Sequence, residues 1–156
     1  MQPLSTTEAE IEPKVRSSLQ ERAELEALRF KWIESEKAGH DLGEMAIRLW
    51  ICRYWNRFLR QRWLEHLHGE TYWIEFESRS YAVLSRPGLV DSPLTAVIIE
   101  HFRWGEENLH IIQWAMDADQ PMDEIRAILT TLDVNSSRLP CRFDPARPRY
   151  QRSAAG

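Results

Sequence analysis

Arg53, Arg57 and Arg60 recur at steps of four and three. On a helix this spacing sets three guanidinium groups along one side. Guanidinium forks make bidentate contacts with carboxylates and phosphates, and a row of them gains affinity for nucleic acid by releasing counterions. Trp50 borders the row and offers a ring that could stack on a base or a cation. Trp73 and Trp104 also sit where exposure would make them binding anchors, whereas Trp32, Trp55 and Trp63 fit apolar helix faces. A second constellation is Glu-x-x-His, found as Glu65 with His68 and as Glu107 with His110. A carboxylate and an imidazole three residues apart share a helix face. Two such pairs, with a glutamate from each of two further helices, build the di-iron arrangement of four-helix bundles.

Each pattern has a competing structural explanation. The arginines can form a solvated face or pair with acids, for which Glu21, Glu24, Glu26, Glu34 and Glu36 are available on one helix. Glu65 and His68 fall at the fraying end of a helix, just before Gly69. His110 projects with Gln113 and Asp117, away from Leu109 and Ile112. A metal centre on these four residues is therefore the alternative reading, and no cofactor is expected.

Charge is segregated along the chain. Residues 1–40 carry a net −2, residues 41–64 a net +3, residues 65–133 a net −9 and residues 134–156 a net +4, within a total of −4. A basic helix and a basic tail thus flank an acidic body. Either the tail folds back on that body or the basic parts serve an acidic partner. The overall negative charge ranks an acidic protein ahead of nucleic acid as that partner.

The elements that would position these residues follow from periodicity and punctuation. Residues 1–19 are rich in Glu, Ser, Thr and Pro and are expected as a disordered tail. A helix is predicted from about Gln20 to Lys37, stopped by Gly39. The next runs from Glu44 to about Leu67 without Gly or Pro, capped by Asp41 and ended by Gly69. Its Ile47, Ile51, Tyr54, Trp55 and Phe58 share a broad apolar face, while Arg53, Asn56, Arg57 and Arg60 oppose it. Arg48 and Arg62 land on the apolar side and are expected to snorkel to water.

Alternation over Thr71–Phe76 and the apolar run Tyr81–Leu84 predict a β-hairpin near 71–84. Pro87, Gly88 and Pro93 mark a loop, after which Asp91 or Ser92 caps a helix to about Trp104. Two more helices are predicted, from about Glu106 to Met116 and from about Met122 to Leu132. Leu109, Ile112 and Met116, then Met122, Ile125, Ile128 and Leu129, resemble the packing of helix-turn-helix modules. Asp123 and Glu124 against Arg126 alone suit neither groove nor phosphate, so these residues are read as core.

Several classes of function find no support. No apolar run is long enough for a membrane-spanning helix, and Met1–Glu12 lacks the basic stretch and apolar core of a secretory signal. Cys52 and Cys141 have no metal-knuckle spacing and read as free thiols of a cytoplasmic protein. Six scattered glycines make no phosphate loop, and no serine sits in a glycine-flanked elbow. His40, Asp41 and Glu44 cluster at a helix junction, where capping already explains the two acids.

At 156 residues the chain suits one domain. The expected fold is mainly α: a small single-domain bundle of about five helices over 20–134, with the inserted hairpin and flexible tails, the second of them basic over 135–156. The expected function is a non-enzymatic interaction module using Arg53, Arg57, Arg60, Trp50 and Trp73.

Overall fold

The computed structural model describes residues 15–86 and 92–149. The tail residues 1–14, the loop residues Pro87 and Gly88, the candidate cap Asp91 and the chain from 150 onward lie outside the described residues. The protein is a small mainly-α domain whose described residues form five α-helices and a two-stranded parallel sheet.

Helix α1 spans Leu19–Ala38 and helix α2 spans Glu44–His68. Gly39 and Gly69 end them in the left-handed conformation, which an L-residue adopts only at a cost. Gly69 has a further constraint, since a Cβ there would lie 2.9 Å from the Cβ of Ala82. Asp41 does not cap α2. Gly43 holds that position, and Asp41 Oδ1 accepts the Gly43 N–H at 2.9 Å, closing the turn before the helix begins.

Helix α3 (Pro93–Arg103) starts under a Ser92 cap with proline in its first turn. Helices α4 (Asn108–Asp117) and α5 (Met122–Leu132) follow. No helix among the described residues is long and apolar enough to cross a membrane.

The core surrounds α2. Trp50 and Phe58 meet Leu19, Ala23 and Ala27 of α1 in one continuous apolar cluster with Trp63, Phe102, Ile125 and Leu132. Burying each large apolar side chain contributes roughly 1.5–3 kcal/mol. The Trp63 indole N–H donates to the Leu132 carbonyl at 2.9 Å, so this fully enclosed ring leaves no polar atom unpaired.

The insertion between α2 and α3 departs from a hairpin. Strand β2 (Tyr72–Trp73) lies where the alternation placed it, but it pairs in parallel with strand β1 (Arg16–Ser17). Tyr81–Leu84 forms no strand. It is a turn leading into a 3-10 segment, Val83–Ser85, preceded by another over Ser78–Ser80. The cause lies in α2. The Ala82 N–H donates to the His66 carbonyl and the Ser85 hydroxyl to the His68 carbonyl, so the segment satisfies the helix end instead of pairing with β2.

Two expected tail segments are also tied down. Residues 15–19 include β1, the Ser18 cap and the fully buried Leu19. In the C-terminal segment, residues 135–149 are irregular in backbone beyond the 3-10 turn Val134–Ser137 but lie against α1 and α2. Trp55 Nε1 donates to the Leu139 carbonyl, the Arg142 N–H to Gln20 Oε1, and the Arg149 N–H to the buried carboxylate of Glu24. Phe143 adds apolar burial beneath them.

Candidate functional site

Helix α2 faces α1 on one side and α3 with the Val134–Ser137 turn on another, so much of its lower half is enclosed. Its upper half keeps one face in water. Met45, Leu49, Cys52, Arg53, Asn56 and Arg57 recur there at steps of three and four and are all exposed. Arg48 belongs to the same face and pairs with Glu44 one turn earlier, at 2.5 Å. Among the described residues, no carboxylate lies within ion-pair distance of Arg53 or Arg57.

Arg60 leaves the row. Its guanidinium donates to the Glu106 carbonyl at 2.9 Å and to Glu107 Oε1 at 2.7 Å, over the Phe102 ring. Glu107 Oε2 accepts from Arg138 at 3.2 Å, so one carboxylate joins α2, the start of α4 and the C-terminal segment. Partial burial raises the Glu107 pKa, but the two guanidinium groups outweigh it and hold the carboxyl below its ordinary value. A cleft of about 290 Å³ between Asn56, Arg60, Glu107, Arg138 and Leu139 closes the lower end of the exposed face.

The expected aromatic anchors are interior. Trp50 is 5% exposed and stands edge-on to Trp55 and Phe58, because it lies on the side of α2 that meets α1. Trp73 is 4% exposed, its indole N–H directed at Glu65 Oε1. The β1–β2 pairing draws this residue inward. Trp104 is open to solvent at 83%, as its position after α3 suggests, and Trp32 is half-exposed instead of buried. Arg62 does lie over apolar surface, stacked above Phe58 while pairing with Glu26 and Glu65.

The four residues of the metal reading are not brought together. Glu65 is taken by Arg62 and Trp73. His68 opens on a cleft that it shares with Glu65 and Glu70 but also with Arg62 and Arg103, whose charge opposes a cation. Glu107 is clamped by arginines, and its backbone N–H donates to His110 Nδ1, occupying that imidazole as a helix cap. Among the described residues no three His, Cys, Asp or Glu side chains gather as a metal site.

One polar residue has no counterpart in the sequence reasoning. His66 is fully buried among Trp63, Tyr72, Phe76 and Tyr81. Its Nδ1 accepts the Trp73 N–H at 3.2 Å, which leaves Nε2–H to donate to the Glu77 carbonyl at 3.0 Å. Burial lowers its pKa, opposed by the weaker effect of the Glu77 bond. The only sequence signal is a histidine beside Leu67 near the end of the helix, followed by closely spaced aromatics.

Comparison with protein-family models, with curated proteins and with solved structures finds no match to this chain.

Proposed function

We propose that the protein is a non-enzymatic interaction module whose exposed α2 face binds an acidic, partly apolar segment of a partner protein. The observation that carries this reading is the pairing of chemistries on one rigid helix face. Arg53 and Arg57 stand in water without carboxylate partners among the described residues, and Met45, 79% exposed, and Leu49 precede them at four-residue steps. Exposed apolar side chains gain by excluding water against another apolar surface, and unpaired guanidinium groups select carboxylates at its edge. A nucleic-acid phosphate row would match the arginines but leave Met45 and Leu49 without a counterpart. Trp50, Trp73 and Arg60 are structural in this reading.

Selection of peptides from a random display library against the full chain tests it. The expected winners combine Asp or Glu with Leu, Ile or Phe, bind less tightly as salt rises, and lose binding to the Arg53→Glu/Arg57→Glu variant while its helical circular dichroism stays intact. Neutral winners, or winners indifferent to that variant, overturn the reading. So does tight oligonucleotide binding that weakens steeply with salt and vanishes in the same variant, which would put nucleic acid in the partner's place.

A further inference from the structure

Helix α4 buries a different side from the one that Leu109 and Met116 suggest. Ile111 and Ala115 are fully enclosed, while Leu109 and Met116 are 78% and 61% exposed. At about 100° per residue, Leu109, Gln113 and Met116 define the outward face, opposite Ile111 and Ala115, with Ile112 and Asp117 at its margins. Asp117 and Asp119 at the end of α4 and Asp123 in the first turn of α5 are exposed, and no cation lies within ion-pair distance of them among the described residues. The result is a short apolar strip edged by negative charge.

The α2 face is its counterpart in chemistry. Met45 and Arg57 are twelve residues apart on α2, about 18 Å, and Leu109 and Asp117 eight apart on α4, about 12 Å, so the α4 strip fits within the α2 face with its acidic end toward the arginines. Within one copy the strips do not meet, since both remain exposed. We propose that the α4 strip docks on the α2 face of a second copy, the two helices running in the same direction, with Leu109 over Met45 and Leu49, Met116 beside Cys52 and the aspartates meeting Arg53 and Arg57. The charge complementarity of the two strips favours a second copy as the occupant. This inference rests on the α2 face being a site for acidic, partly apolar surface, and it makes the chain's own α4 one such surface.

Sedimentation equilibrium of the full chain tests it. A surface this small belongs to the weak end of protein interfaces, so concentrations should reach roughly 500 µM. The expected mass rises above the 18.4 kDa of one chain as concentration increases and falls back at high salt. Arg53→Glu/Arg57→Glu and Leu109→Ser/Asp117→Arg should each remain at the mass of one chain with unchanged helical content. Their equimolar mixture should regain twice that mass, because each supplies the face the other lacks. A wild-type chain that stays monomeric throughout, or a mixture that does, overturns the proposal. The α4 variant keeps its α2 face, so peptides selected for that face must still bind it. Monomeric wild type with peptide binding intact removes only the second copy as occupant, whereas loss of both removes the α2 reading as well.

Discussion

The Glu75 carboxylate accepts the Leu19 backbone N–H at 2.6 Å, across 56 residues of chain. The same group takes the Gln20 N–H at 3.1 Å and the Ser18 hydroxyl at 2.7 Å, while Ser18 Oγ accepts the Glu21 N–H. An anion from the β2 segment thus caps α1 and interacts favourably with the positive end of its dipole. Glu75→Ala leaves part-buried donors unpaired and should cost about 2 kcal/mol in urea unfolding. Glu75→Gln, which keeps one acceptor but no charge, should cost about half as much. Equal stability of the three proteins would show that water replaces the carboxylate at no loss.

His66 makes folding stability depend on pH. Its pKa in the folded protein lies below the ordinary value of 6.5, so between the two values the unfolded chain binds more protons. Stability is therefore full above the unfolded value, falls as pH drops through it, and levels off below the folded value. Protonation also puts a proton on Nδ1, which faces the Trp73 N–H. The melting temperature should fall between neutral pH and pH of about 5, and His66→Gln should flatten that part of the profile. An unchanged slope in His66→Gln would assign the effect elsewhere.

Arg60 and Glu107 should be coupled in a double-mutant cycle. The carboxylate is well over a third exposed, so solvent screening limits the coupling to about 1 kcal/mol. The depressed Glu107 pKa fixes the sign: this contribution is present above the unfolded carboxyl value and is lost as pH falls through the folded one. The Arg60→Ala, Glu107→Gln and double variants, unfolded at neutral and acid pH, check both statements.

The two thiols should react at different rates. Cys52 is exposed on the α2 face, whereas Cys141 is part-buried, with a pKa raised by burial. A disulfide reagent should label Cys52 first, as peptide mapping will show. A bulky adduct at Cys52 should reduce peptide binding at the α2 face without changing helical circular dichroism. Preferential labelling of Cys141 would contradict the packing of the C-terminal segment.

Local signals made most of the helical frame legible in the sequence. Gly39 and Gly69 stop their helices by accepting positive φ, and Ser92 with Pro93 starts α3. The β1–β2 pairing was hidden because Arg16 and Tyr72 are joined only by tertiary contacts, while the nearby Tyr81–Leu84 run offered a plausible local partner. Arg53, Arg57 and Arg60 look alike by spacing, and only the fold brings Glu107 to one of them. In α4 the series Leu109, Ile112 and Met116 and the pair Ile111 and Ala115 both satisfy helical periodicity. The larger residues suggested the wrong inner face, because Ala115 leaves room for close approach to α5. The acidic-partner reading had its root in the charge segregation, but the residues that mix apolar surface into it, Met45 and Cys52, emerged only from the exposed half of α2.

The Glu24 carboxylate, 1% exposed, receives its backbone N–H from Arg149, 125 positions later. During synthesis, α1 and α2 leave the ribosome long before that donor exists. A helix pair without that donor carries an acid that costs free energy to bury, so the Glu24 side of α1 favours water until residues 139–149 pack over it. Burial of this face of α1 is thereby set by the packing of residues 139–149, which α1 and α2 do not supply by themselves.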